Sequence, residues 1–114
     1  GIQIKTIRID RVFSGWLFFT QLKNNRPLFC FGQENVFYFF NPFSPEIFHA
    51  VINRILDSFE KYPRTITLIL YYPEDDTVFY LERHTTFDRI DEIAASDAVY
   101  KDRRERFCLY RITI

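Results

Sequence analysis

The chain has 114 residues, of which 47% are hydrophobic and 19% aromatic, and its 15 Lys and Arg residues balance 15 Asp and Glu residues. This length excludes two independent domains, and the apolar fraction excludes a disordered tail. The zero net charge argues against general nucleic-acid binding and against docking on an anionic membrane, because both rely on an excess of basic residues.

The first third of the chain predicts strands and turns. Apolar and polar side chains interleave over residues 2–10, and two short apolar runs follow at residues 16–19 and 28–31, separated by polar breaks. We therefore predict a β-rich N-terminal segment, residues 1–35, that forms a small antiparallel meander. It is expected to pack on the same core as residues 36–114, within a single domain.

The strongest pattern begins at residues 36–40, which are apolar on both faces. Such a run is typical of a central strand in a parallel sheet with helices on both sides. Ser44, Pro45 and Glu46 then supply a helix N-cap, a proline at the first helical position and a carboxylate near the positive end of the helix dipole. Apolar residues at helical spacing continue this helix until Pro63 ends it.

The remaining elements make the prediction an α/β fold. Residues 66–72 form a second apolar strand, and the strand, helix, strand succession predicts a right-handed crossover between two parallel strands. A short connection to the last strand favours an antiparallel neighbour. The later elements are a short helix at 77–83, an exposed strand at 87–93, a polar connection at 94–104 and a terminal strand at 106–112.

Ligands of open α/β sheets bind outside the carboxyl ends of the parallel strands, so the residues after the first strand are candidates. Asn41 offers an amide that donates and accepts hydrogen bonds, Pro42 keeps the residue before it extended, and the ring of Phe43 could stack on a planar group. The structural alternative is that Asn41 caps a turn and Phe43 packs under the helix.

The residues after the second strand are candidates for the same reason. Tyr71, Tyr72 and Glu74 could bind a polar substrate, and the alternative is that they merely complete the strand. The two histidines, His49 and His84, have no partner at metal-ligand spacing, so we predict no metal site.

Other features predict an intracellular setting without special chemistry. Cys30 and Cys108 lie in apolar stretches, which predicts buried thiols in a reducing, cytoplasmic protein. No apolar run reaches about 18 residues and no basic leader opens the chain, so we expect neither a transmembrane span nor a signal peptide. The charges of residues 101–106 alternate in sign, which predicts a solvated loop.

Residues 36–111 resemble the carboxyl-terminal half of a class I S-adenosylmethionine-dependent methyltransferase. The run VFYFFNPFSPEIF is similar to the family's fourth strand with its Asn-Pro-Phe motif, and the helix VINRILDSF follows it. The resemblance implies a partial doubly wound, Rossmann-like sheet whose last strand runs antiparallel between the fifth and sixth strands. The strands similar to the fifth, sixth and seventh are PRTITLILYYP, FDRIDEI and RRERFCLYRI.

The resemblance also implies a catalytic role for Asn41, Pro42 and Phe43, which would face the methyl donor and the acceptor. In related amino-group methyltransferases the comparable motif is Asn-Pro-Pro followed by an aromatic residue. The second proline is missing here, which argues against an adenine or glutamine acceptor. The acidic residue that holds the ribose of S-adenosylmethionine in the family has no identified counterpart.

The family's glycine-rich donor-binding turn is also missing, since Gly1, Gly15 and Gly32 are scattered. We therefore expect the acceptor-side half of a methyltransferase, inactive alone: either a fragment whose donor-binding N-terminal half is missing here or lies on another chain, or a truncated relative that pairs with another protein. The alternative is a non-catalytic α/β interaction module that acts as a homodimer or with a partner subunit. A third possibility, a small ligand-binding α+β domain unrelated to methyltransferases, would be favoured if residues 36–40 and 66–72 were not adjacent parallel strands.

Overall fold

The computed structural model describes residues 8–14, 22–23, 26–27, 32, 34–40 and 44–114. Regular secondary structure covers most of these residues. The elements are β1 (Arg11–Ser14), β2 (Leu22–Lys23), β3 (Arg26–Pro27), β4 (Val36–Phe40), α1 (Pro45–Lys61), β5 (Ile66–Tyr71), α2 (Asp75–His84), β6 (Asp88–Ala94), a 3₁₀ helix (Asp97–Tyr100) and β7 (Arg106–Ile112).

Five of the strands form one mixed sheet in the order β1, β4, β5, β7, β6. Strands β1, β4 and β5 are parallel, whereas β7 runs antiparallel to both β5 and β6. The predicted parallel pairing of the two apolar strands is confirmed, and so is the antiparallel terminal strand. The condition for an unrelated α+β domain is not met, because β4 and β5 are adjacent and parallel.

The amino-terminal segment differs from the predicted meander where it is described. Strand β1 pairs parallel with β4 and thus extends the parallel part of the sheet, while only the two-residue strands β2 and β3 pair antiparallel. Asp10 holds β1 in place, because its Oδ2 accepts hydrogen bonds from the backbone N–H groups of Asn35 (2.8 Å) and Val36 (3.0 Å). The apolar runs predicted at residues 16–19 and 28–31 lie outside the described residues.

Helix α1 follows most of its sequence signals, but the side chain of Ser44, the predicted N-cap, makes no capping hydrogen bond. It begins at Pro45 after Ser44, carries Glu46 in its first turn and ends at Lys61, two residues before Pro63. One face of the helix is buried against the sheet, which fixes its orientation. The buried residues are Phe48, Val51, Ile52, Ile55 and Ser58.

Helices α1 and α2 cover the same face of the sheet, and the described residues place no α-helix on the other side of β4, where one was also expected. The rings of Phe48 on α1 and Tyr80 on α2 lie 6.4 Å apart, and both helices contribute to one core cluster. The side chains of β4 alternate accordingly, because Phe37 and Phe39 face this core. On the second face, Phe40 is 39% exposed.

No helix in the described part of the chain is long and apolar enough to cross a membrane. The longest described helix, α1, has 17 residues and carries a polar face.

Candidate functional site

The site is built at the carboxyl ends of β4 and β5. The two strands are in register at Phe40 and Tyr71, so the chain leaves both strands from the same edge of the sheet. Asn41, Pro42 and Phe43 follow Phe40 directly in the sequence, but they lie outside the described residues. The described part of the site therefore comprises the end of β5 and the elements that meet it.

The two tyrosines at the end of β5 are held by carboxylates from the connection between β6 and β7. The hydroxyl of Tyr71 donates to Oε1 of Glu105 at 2.7 Å, and the hydroxyl of Tyr72 donates to Oδ2 of Asp102. The hydrogen bond to Glu105 raises the pKa of Tyr71, and that to Asp102 raises the pKa of Tyr72. Both phenols therefore act as hydrogen-bond donors to these carboxylates.

Arg104 joins Asp102, Tyr72 and Glu74 into one cluster. Its guanidinium lies 3.0 Å from Asp102 and 3.0 Å from Glu74, and its Cζ lies 5.0 Å from the centre of the Tyr72 ring. The hydrogen bonds from Arg104, and then the one from Tyr72, hold the pKa of Asp102 well below its ordinary value. This cluster positions Tyr72 and Glu74, and its one guanidinium is shared between two carboxylates.

Tyr72 adopts a backbone conformation that a residue with a side chain rarely adopts. Its φ is +57°, in the left-handed region. The conformation is fixed from two sides, because the Tyr72 N–H donates to the carbonyl of Arg106 at 3.0 Å while its hydroxyl is held by Asp102. Backbone strain of this kind, of about 1–3 kcal/mol, concentrates at binding and catalytic sites.

Three rings form a row across the second face of the sheet at this edge, here called the aromatic row: Phe40, Tyr71 and Phe107. Register places Phe40 opposite Tyr71 and Tyr71 opposite Phe107. The rings of Phe40 and Tyr71 are stacked with centres 5.8 Å apart, and those of Tyr71 and Phe107 are 4.9 Å apart. Phe40 is 39% exposed and the other two rings are half-buried, so the row reaches solvent.

Two cavities border the described elements at opposite ends of the strands. The one near the site has a volume of about 220 Å³ and the other about 430 Å³. The first lies between the amino-terminal ends of α1 and α2, where acidic residues face the positive ends of the helix dipoles. Its lining residues are Pro45, Glu74, Asp75, Asp76 and Thr77, and those of the second are Asn35, Lys61, Tyr62, Pro63 and Arg64.

The structure brings together Tyr71, Tyr72 and Glu74, as their spacing in the sequence suggested. It adds Asp102 and Arg104, and also Glu105, which the charge alternation of residues 101–106 had assigned to a solvated loop. Only the position of β7 next to β5 could have indicated this role, since it returns the preceding connection to the end of β5.

The histidines and the buried thiol are engaged in packing. The ring of His49 stacks on Tyr80 at 3.7 Å, and Cys108 is fully buried, which raises the pKa of its thiol. Cys30 lies outside the described residues. Within residues 44–114 and the shorter described stretches before them, no group of three or more His, Cys, Asp or Glu side chains is placed to hold a metal ion.

No protein-family model, curated protein or solved structure matches the chain.

Proposed function

We propose that these 114 residues form the acceptor side of an S-adenosylmethionine-dependent methyltransferase and that other residues bind the methyl donor. The strand order carries this proposal. The antiparallel strand β7 lies between β5 and β6, and β4 flanks β5 on the other side. The resemblance implies the same arrangement, with the last strand antiparallel between the fifth and the sixth.

The described residues do not fit the methyl donor. Close approach of a backbone to the donor requires a glycine-rich turn, and Gly32, the one glycine that the structure describes, does not have a positive φ. At Gly32 an added Cβ would meet its nearest neighbour, Oε1 of Glu34, at an ordinary 3.7 Å, so no cradle for a ligand depends on this glycine. We therefore assign no donor-binding role to these residues.

The proposed role of this chain is to position the acceptor. Asn41 would hold a polar group of the acceptor through its amide, and Phe43 would pack against it. Tyr71 and Tyr72 would border the acceptor on the β5 side, with their hydroxyls fixed by Glu105 and Asp102. Fixed neighbours of this kind lower the entropy that is lost when the acceptor is oriented for reaction.

Calorimetric titration with S-adenosylmethionine and S-adenosylhomocysteine tests this division of labour. We expect no measurable binding to the 114-residue chain, and micromolar binding to the protein at the full length that its gene encodes. The full-length Asn41→Ala variant should keep the binding of the donor, because Asn41 is assigned to the acceptor. Micromolar binding to the 114-residue chain would contradict the assignment of the donor site to other residues, and no binding at full length would contradict the methyltransferase.

A second candidate function is a non-catalytic interaction module that acts as a homodimer or with a partner subunit. Val12 on β1 is 57% exposed and Phe79 on α2 is 55% exposed, and such apolar side chains favour protein contacts. Light scattering of the full-length protein distinguishes the two functions. A stable dimer that binds neither donor compound would favour the module.

A further inference from the structure

The aromatic row offers a surface of a particular chemical kind. Its three rings come from three neighbouring strands, and the electron-rich faces of aromatic rings attract cations, whereas their edges do not. The register of the sheet sets the spacing of the rings and two of them are half-buried, so part of their side-chain entropy is already lost before a ligand binds.

Glu105 supplies a negative charge beside this surface. Its carboxylate is half-buried and accepts a hydrogen bond from Tyr71, the central ring of the row. It forms no ion pair with any cation among the described residues. The nearest basic residues in the sequence are already engaged, since Arg104 pairs with Asp102 and Glu74, and Arg106 pairs with Glu92 at 2.6 Å.

We propose that the aromatic row and Glu105 bind a cationic amine, in which the rings contact the apolar and charged surface of the ammonium group and Glu105 balances its charge. A phosphate or carboxylate ligand would be repelled by Glu105, and a neutral base stacked on the rings would leave this charge uncompensated. A charged ammonium group satisfies both features of the surface.

This inference deepens the proposed function and rests on it in one respect, namely that the bound amine is the methyl acceptor: the ammonium group loses a proton to solvent, its nitrogen lone pair then takes the methyl group, and S-adenosylhomocysteine leaves as the thioether. Phe40 ends β4 one residue before Asn41, so the row adjoins the segment assigned to the acceptor. Binding of the cation itself needs no methyl donor. It can therefore be measured separately from the activity.

The experiment compares choline with 3,3-dimethylbutan-1-ol, a neutral molecule of nearly the same shape. Both are titrated into the 114-residue chain at constant ionic strength, and the ring signals of Tyr71 and Phe107 are followed by NMR. We expect choline to bind about fivefold more tightly than the neutral analogue, which is the ratio that a partly exposed cation–π contact produces.

Two variants and their matched controls separate the contributions of charge and ring. Glu105→Gln should lower the affinity for choline severalfold without changing that for the neutral analogue, and Tyr71→Leu should abolish the ring-dependent shifts. Glu60→Gln changes an exposed glutamate of α1, and Tyr100→Leu changes a tyrosine that is 91% exposed; both should bind like the unaltered chain. Thermal melting checks that each variant is folded.

Equal affinities for choline and the neutral analogue, or no binding of either, would overturn the inference. If Glu105→Gln leaves the ratio of the affinities for choline and the neutral analogue unchanged, the proposed role of that carboxylate is wrong. If choline binds as expected while the full-length protein fails to bind either donor compound, the cation site stands and the methyltransferase assignment fails. The two results are thus distinguishable.

Discussion

Tyr72 is the residue at which the constraints on this site converge. Its left-handed backbone is tied to Arg106, its hydroxyl to Asp102 and its ring to Arg104. Asp102 depends on the same contacts, because hydrogen bonds from Arg104 and Tyr72 stabilise its charged form. The geometry of the connection between β6 and β7 is therefore coupled to the ionisation of the Asp102 carboxyl group.

The Tyr72→Phe variant tests this coupling. Loss of the hydroxyl donor should raise the pKa of Asp102 toward its ordinary value of 3.8, although Arg104 should still keep it lower. A depressed pKa in the folded state adds stability above the unfolded value, and this stability is lost as the pH falls through the folded value. The variant should therefore show a shallower loss of stability below about pH 4.

The measurement is a carboxyl ¹³C NMR titration combined with urea unfolding at several acidic pH values. The control is Tyr80→Phe, which removes a hydroxyl that donates to Asn53 at 3.2 Å and should leave Asp102 unchanged. An unchanged pKa of Asp102 in Tyr72→Phe would show that the hydrogen bond does not form in solution.

These contacts could not be predicted from the sequence. Asp102 and Arg104 each lie 30 positions away from the partners that they meet at the end of β5, and Glu105 lies 34 positions from Tyr71. An alternating charge pattern has the same appearance in a solvated loop and in a loop folded onto a sheet edge. Only the pairing of β7 with β5 distinguishes them.

At the scale of elements, structure could be predicted where its signals in the sequence are local. Helix α1 was predicted because a proline and a carboxylate mark its first turn and another proline follows its end. The parallel pairing of β1 with β4 was not predicted, because it depends on hydrogen bonds that Asp10 accepts from backbone groups 25 and 26 residues away. The side of the sheet on which α2 packs also depends on tertiary contacts, so no local signal in the sequence predicts it.

The packing of α1 gives an element-scale prediction. Ile55 has no exposed surface and faces the core cluster, so Ile55→Ala should lower the free energy of unfolding by about 2–5 kcal/mol. Asp57, two residues away on the exposed face, should tolerate Asp57→Ala within about 0.5 kcal/mol. Urea unfolding of the two variants measures the difference. Equal effects would contradict the placement of this helix on the sheet.

At the scale of the whole molecule, the two halves of the chain differ in how well sequence predicts structure. The order of β4, β5, β7 and β6 agrees with what the resemblance of residues 36–111 implies. The amino-terminal part gave no comparable pattern, and its described strand β1 joins the sheet beside β4. In the described residues, α1 and α2 cover one face of the sheet. The aromatic row lies on the other face, at the carboxyl ends of the strands, where we propose that the acceptor binds.

The most direct test of the proposed function locates the methyl group of the donor. The full-length protein is mixed with S-adenosylmethionine carrying a ¹³C-labelled methyl group, and nuclear Overhauser effects from that methyl group are recorded. The proposal predicts contacts with the ring protons of Phe43 and of Phe40 or Tyr71, at the carboxyl ends of β4 and β5. A bound donor whose methyl group contacts only residues away from this edge, or a donor that does not bind, would contradict it.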